Sequence, residues 1–446
     1  MTAGLRAAFR CFAGCPGEHP LTRAIYTCPR CGGLLAVAHD MDALRRTSGE
    51  AWRALFSSRG YGAPAPYASG VWSKREWVAP EVTDADVVST VEGRTPLCPA
   101  PRLAAELGIA ELAVKQSGTS HTGSFKDLGM TVLVSVVRQA LREGAAQVRA
   151  IACASTGDTS AALAGYGAIA GLPVVVLLPR GLVSTAQLVQ PLAHGAKVLA
   201  LDTDFDGCMA IIKELAARGL VYLANSMNPL RIEGQKTVAF EIAEQRGWDV
   251  PDWVVLPSGN LGNAAALHAG FAMMADLGVT SRLPRLCVAQ AARANPMVTA
   301  FKAGASAVSP MRAGETLATA IRIGNPVSAP RAMAALAAMR GVAEEATEDE
   351  LAEAAARADR AGLYTCPHTG VALACAKKLR AEGVIGPRES VVVVSTASGL
   401  KFTEFKLAYH EGRAADVTSR LANAPIALPP DVERVAEAIA ALGPSA

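Results

Sequence analysis

From Gly93 onward the apolar positions fall into short, continuous runs at residues 148–154, 174–178, 198–201, 221–224, 253–257, 286–289 and 391–395, each followed by a glycine-led, helix-periodic stretch. Such runs do not alternate with polar residues, which marks strands covered on both faces. Run, helix, run, repeated along the chain, predicts right-handed crossovers and open, mostly parallel sheets. Residues 128–141 predict a helix with Leu128, Val132, Leu133, Val136, Val137, Ala140 and Leu141 on one stripe, and Thr347 with Glu350 predicts a capping box opening another. Ahead of Gly93 the pattern changes. Residues 40–56 predict one or two short helices, and the Gly-, Pro- and aromatic-rich stretch 60–80 predicts an extended arm whose Trp72 and Trp77 pack on something else, such as a second subunit. After Glu411 the chain is rich in Ala and Pro, with one helix expected over 430–442. The expected organisation is a cap over 1–90, a catalytic region over 91–410 with a smaller subdomain at about 140–230, and a tail over 411–446.

Composition narrows the class. With 51% hydrophobic and 19% charged residues a large core is feasible, and with only 5% aromatics it must be built from Ala, Val and Leu. A net charge of +3 without a basic block argues against nucleic acid. No uncharged run is long enough to span a bilayer and the opening lacks an apolar signal region, so a cytoplasmic protein without membrane contact is expected. Of ten cysteines, six are scattered and read as reduced, buried small hydrophobes. The other four, Cys11, Cys15, Cys28 and Cys31, form two close pairs; CPRCGG has the glycines of a zinc knuckle. They either surround one zinc ion or are free thiols in an irregular cap.

The chemistry centres on SGTSHTGSFKDLG, residues 117–129. Small hydroxyl residues and glycines surround Lys126, Phe125 places a ring beside its amine, and a long helix follows. This is the setting that a lysine needs to attach covalently to an aldehyde; taken alone, it reads as a solvated lysine on the first turn of a helix, and the loops that follow reverse that reading. Four further loops fall at the carboxyl ends of expected strands, where ligands of open α/β sheets bind. PSGNLGN, residues 257–263, is a phosphate cradle: Gly259, Asn260, Leu261, Gly262 and Asn263 run into a helix N-terminus. No G-K-[ST] follows, and the glycine spacing is not that of a dinucleotide site, so a small monophosphate fits best. In ASTGDTS, residues 154–160, the hydroxyls of Ser155, Thr156 and Thr159 suit a carboxylate, while Asp158 either caps a helix or accepts a bond from a cofactor hydroxyl. Asn225, Ser226 and Arg231 suit a second anion. Thr396, in STASGLK, offers a neutral hydroxyl to a ring nitrogen or caps a helix. Together these describe pyridoxal phosphate (PLP) holding an amino acid that carries its own phosphate.

HTGSFKDLGM, ACASTGDTSAA, NSMNPLRIEGQKT, PDWVVLPSGNLGN, CPHTGVAL and VVVVSTASGLKF together resemble threonine synthases of the plant-type branch, over nearly the whole chain. That resemblance implies the two-domain α/β architecture of PLP fold type II, plus the small N-terminal cap. It implies that Lys126 carries PLP, that Gly259 to Asn263 bind its phosphate and that Thr396 faces its pyridine nitrogen. It assigns the substrate carboxylate to Ser155, Thr156 and Thr159, and the substrate phosphate to Asn225, Ser226 and Arg231. The implied reaction converts O-phospho-L-homoserine and water to L-threonine and phosphate, in a protein expected to be a homodimer. The alternatives are a sister PLP lyase such as threonine dehydratase, which needs no second phosphate grip, and a non-catalytic paralogue. His121 and His368 read either as proton carriers or as loop residues that order their surroundings.

Overall fold

A computed structural model describes residues 4–60, 62–155, 157–181 and 185–442. Its strands in chain order are β1 (Ala7–Cys11), β2 (Glu18–Pro20), β3 (Leu35–His39), β4 (Leu97–Pro99), β5 (Glu111–Gln116), β6 (Ala150–Ala154), β7 (Val174–Pro179), β8 (Lys197–Leu201), β9 (Val221–Leu223), β10 (Trp253–Pro257), β11 (Arg285–Ala291), β12 (Val342–Ala346) and β13 (Ser390–Ser395). They form three sheets. A small antiparallel sheet of order β2-β1-β3 belongs to the N-terminal cap. The six-stranded sheet has the order β12-β11-β10-β13-β5-β4, parallel except for the edge strand β4. The four-stranded sheet, β8-β7-β6-β9, is parallel throughout. The chain leaves the large sheet after β5, builds the whole small sheet, and returns at β10.

Every residue of β6, β10 and β13 is buried, as their continuous apolar runs require when helices cover both faces. The helix Lys126–Arg142 is buried over almost its full length between neighbouring elements, and the capping box of Thr347 and Glu350 opens the helix Glu348–Arg360. No described helix is long and apolar enough to cross a membrane. The helix Val432–Ala440 buries none of its residues.

Residues 60–80 differ from the expected extended arm. The segment turns through a short 3-10 helix, Trp72–Lys74, and an α-helix, Arg75–Val78. Trp72 and Trp77 are wholly buried in their own chain rather than presented to a second subunit. The Trp72 indole donates to Thr131 at 2.7 Å, and Trp77 sits edge-on to Trp52, Phe56 and Phe240. Those partners lie far away in sequence, so local composition cannot announce them.

Beside these rings the interior holds two charge pairs. Lys115 on β5 meets Glu241 at 2.6 Å, and Lys74 meets Glu244 at 2.8 Å. Glu241 also accepts the backbone amides of Arg94 and Thr95, which closes the turn leading into β4. A Cβ on Gly70 or Gly93 would collide with the Glu241 carboxylate, so these positions admit only glycine.

Candidate functional site

The strand ends of the two parallel sheets face a cavity of about 520 Å³. Lys126 is the first residue of its helix, and its loop is fastened to the segment after β13. The Phe125 amide donates to the Thr396 carbonyl at 2.9 Å, and the Ser398 amide to the Gly123 carbonyl at 2.9 Å. A Cβ on Gly118 would overlap the Ala397–Ser398 peptide. Asp127 tightens the loop from within, accepting the Thr122 amide at 2.7 Å and its hydroxyl at 2.6 Å. The Lys126 amine lies 3.9 Å from the centroid of the Phe125 ring. Burial, reinforced by the positive charge of Arg231 and opposed by Asp158, lowers its pKa to about 7. Much of the amine is therefore neutral near neutral pH and available as a nucleophile or base.

Beyond β10 the backbone turns through Leu261 at φ 65° and enters the helix Gly262–Asp276. Gly259 passes so close to Ile321 that a Cβ would sit 2.8 Å from its Cα, whereas a Cβ on Gly262 would meet only the Ser328 hydroxyl, at 3.7 Å. Both polar side-chain atoms of Asn263 are buried without a partner at this helix N-terminus. A buried amide left unpaired is costly unless a ligand completes it. Asn260 lines the cavity and accepts the Val327 amide at 3.4 Å. Thr396 lines the cavity and is buried, its hydroxyl 4.0 Å from the Cys366 sulfur.

The loop after β6 contributes Ser155, Asp158 and Thr159; Thr156 lies outside the described residues. Asp158 does not cap its helix; it pairs with Lys401 at 3.0 Å. Arg231, buried on the short helix Leu230–Gln235, reaches the Ala224 carbonyl at 3.2 Å and the Thr159 hydroxyl at 3.3 Å. Its Nε has no partner, and no carboxylate pairs with it among the described residues. Burial lowers its pKa to about 10, so it stays charged at neutral pH. An uncompensated guanidinium in a cavity wall is a site for an anion. Ser226 lines the cavity beside it. Asn225 lines it too, but its side-chain amide is committed to both backbone groups of Ala154, at 3.0 and 2.8 Å.

Gln235, His368 and Arg322 are among the lining residues that the sequence did not assign to the site. Gln235 lies four positions after Arg231 on the same helix, and that i, i+4 spacing was the signal available. His368 accepts the Ala320 amide at 3.0 Å on Nε2 and lines the wall. Arg322 comes from an irregular connection without periodic pattern. His121 is not among the lining residues; its ring lies edge-on to Tyr166 and tilted to His194.

In the cap, the sulfur atoms of Cys11, Cys15, Cys28 and Cys31 all lie within 4.8 Å of one another. The amides of Arg30 and Gly33 point at the sulfurs of Cys28 and Cys31, each at 3.4 Å.

The sequence profile of the family described as pyridoxal-phosphate dependent enzyme matches residues 88–397. Threonine synthase 2, chloroplastic, of Arabidopsis thaliana is 54% identical over 397 residues, covering 89% of this chain and 77% of that protein. The threonine synthase of Methanocaldococcus jannaschii is 41% identical over 389 residues, covering 87% and 91%. Among solved structures, PLP-bound threonine synthase from Brucella melitensis superposes with a TM-score of 0.66 at 19% identity, covering 90% of this chain and 91% of that one. Maize serine racemase gives 0.59 at 16% identity, covering 77% and 98%. At these identities the structural matches speak for the fold alone.

Proposed function

This chain belongs to the pyridoxal-phosphate-dependent enzymes and, within them, to the threonine synthases, and from that premise we propose that its cavity converts O-phospho-L-homoserine and water to L-threonine and phosphate. The observation that carries this reading is the pair of anion sites in one cavity: the glycine cradle with unpaired Asn263, and the uncompensated Arg231. A lyase acting on an unphosphorylated amino acid needs the first and the lysine, but not the second.

The residues fit the cofactor. The neutral Lys126 amine suits attachment to its aldehyde, and Gly259, Asn260, Leu261, Gly262 and Asn263 would hold its phosphate at the positive end of the helix. Phe125 and Asp158 would border the ring, and Thr396 would meet the pyridine nitrogen with a hydroxyl that leaves it uncharged. When bound, the cofactor draws electron density from the substrate and makes the protons on Cα and then Cβ acidic. The protein does the rest. Ser155, Thr156 and Thr159 would hold the substrate carboxylate, while Arg231, Ser226 and Asn225 would hold its phosphate. Of these three, Arg231 supplies the charge, and Asn225 acts chiefly by fixing the loop through Ala154. Lys126, freed once substrate binds, would take the Cα proton. Holding the Cγ phosphate while Cβ loses its proton directs departure of that phosphate, after which water adds at Cβ. Incubating the PLP-loaded protein with O-phosphohomoserine should release threonine and inorganic phosphate in equal amounts. Release of a 2-oxo acid from threonine instead would favour a dehydratase.

We read the four cap cysteines as a structural zinc site. Four clustered sulfurs with amides aimed at two of them match a tetrahedral thiolate site and its supporting hydrogen bonds. Elemental analysis should find about one zinc per chain, lost in Cys28→Ser; a metal-free wild-type protein overturns the assignment.

The organisation proposed is a cap over 1–90, a catalytic region over 91–410 with a smaller subdomain at about 140–230 inserted in it, and a tail over 411–446. We take the protein for a homodimer of the cytoplasm. Ten cysteines with no disulfide among them support a reducing compartment, and the exposed Leu400, Leu407, Val432 and Ile439 support association.

A further inference from the structure

The helix Leu230–Gln235 separates two cavities. Arg231 faces the large one; Ile232 lines both; Glu233 lines a second cavity of about 140 Å³ between this helix, the N-terminal cap and the helix Ala329–Ala338. That volume is roughly five times a water molecule's share of liquid. Its walls are apolar apart from three groups, Arg331, Glu233 and His268.

Arg331 is 4% exposed and makes no ion pair among the described residues. It donates to the Leu35 carbonyl and, at 3.5 Å, to the Ser328 hydroxyl, while its Nε has no partner. Burial lowers its pKa to about 10, with no acid to offset the loss of water. A buried guanidinium normally has a carboxylate or phosphate against it. Glu233 supplies the opposite charge elsewhere in the same cavity. His39 and Lys236 both bond its Oε2, at 2.7 and 2.5 Å, and its Oε1 carries no hydrogen bond among the described residues. The walls between are aliphatic or aromatic: Phe12, Val37 and Ile232.

We propose that this second cavity binds a small aliphatic α-amino acid, with its carboxylate on Arg331, its ammonium on Glu233 Oε1 and its side chain among Phe12, Val37 and Ile232. A carboxylate without an amine leaves Glu233 Oε1 without a donor, although Lys236 and His39 hold Oε2, and an amine without a carboxylate leaves Arg331 without an anion. The bound molecule packs against the helix that presents Arg231 to the large cavity. Occupancy therefore braces Arg231 and lowers the KM for the phosphorylated substrate, with kcat unchanged.

The test is calorimetric titration of the PLP-loaded protein with L-valine, isobutyrate and isobutylamine, in the wild type, Arg331→Met and Ala334→Leu. Valine should bind the wild type saturably and more tightly than either half-molecule. Arg331→Met should weaken it by about tenfold or more, the loss of one charge-assisted contact. Ala334→Leu keeps the guanidinium, fills the cavity and should abolish the same binding, so it decides the matter if Arg331→Met does not fold. No saturable binding to the wild type, or equal affinity in all three proteins, overturns the proposal; the second result would place valine in the large cavity. Because no substrate is present, this outcome is independent of whether the protein makes threonine.

Discussion

Lys126→Ala should yield a folded, colourless protein. Visible absorbance of bound cofactor and turnover are expected to vanish together, the latter by at least about a thousandfold, since one side chain serves as tether and as base. Folding should survive: the amine is desolvated in the native state and makes no ion pair among the described residues, so truncation removes an unfavourable burial along with its contacts. Circular dichroism should match the wild type. A variant that kept its colour would mean that another amine holds the cofactor. The lowered pKa has a further signature. Because the neutral amine attacks the aldehyde, uptake of PLP by cofactor-free protein should rise with pH through about 7 and level off above it.

Arg231→Ala should raise the KM for O-phosphohomoserine by at least about thirtyfold, the lower end of what truncating one member of a buried charge pair costs. Cofactor absorbance should stay, because the cradle after β10 makes no use of this residue. Arg231→Lys should recover only part of the loss, since an ammonium cannot span Thr159 and Ala224 while gripping a phosphate. Arg231 also helps depress the Lys126 pKa, so in Arg231→Ala the pH midpoint of cofactor uptake should move upward. A variant with unaltered KM and an unmoved midpoint would remove Arg231 from the site. Equal damage to substrate and cofactor binding would make its role structural.

The parts of this molecule that were legible in the sequence share one physical property: their environment is uniform along the segment. β6, β10 and β13 are buried from end to end, so their apolar runs are unbroken, and the loops after them carry glycines and hydroxyls because ligands approach there. β5, Glu111–Gln116, was not legible, because Lys115 interrupts it. That lysine is buried only because Glu241 meets it from 126 residues away, a pairing no window along the chain can see. β12 fails for the same reason, with Glu344 answered by Lys302. In the site, Asn225 could be placed by its loop, but its commitment to Ala154 depends on how β6 and β9 end side by side. Arg322 and His368 enter through the packing of irregular chain, and the turns of Trp72 and Trp77 through rings supplied by other elements.

The junction of Lys115 and Glu241 also constrains how this chain can vary through descent. Losing either partner strands an ion where solvent cannot reach it, at a cost of about 3–5 kcal/mol, comparable with much of a domain's whole stability. Replacing both with apolar residues of matching bulk removes that cost but leaves the amides of Arg94 and Thr95 without their acceptor. Neutral drift at this point has no single-step route, and even the double exchange needs a third change in the turn before it is tolerated.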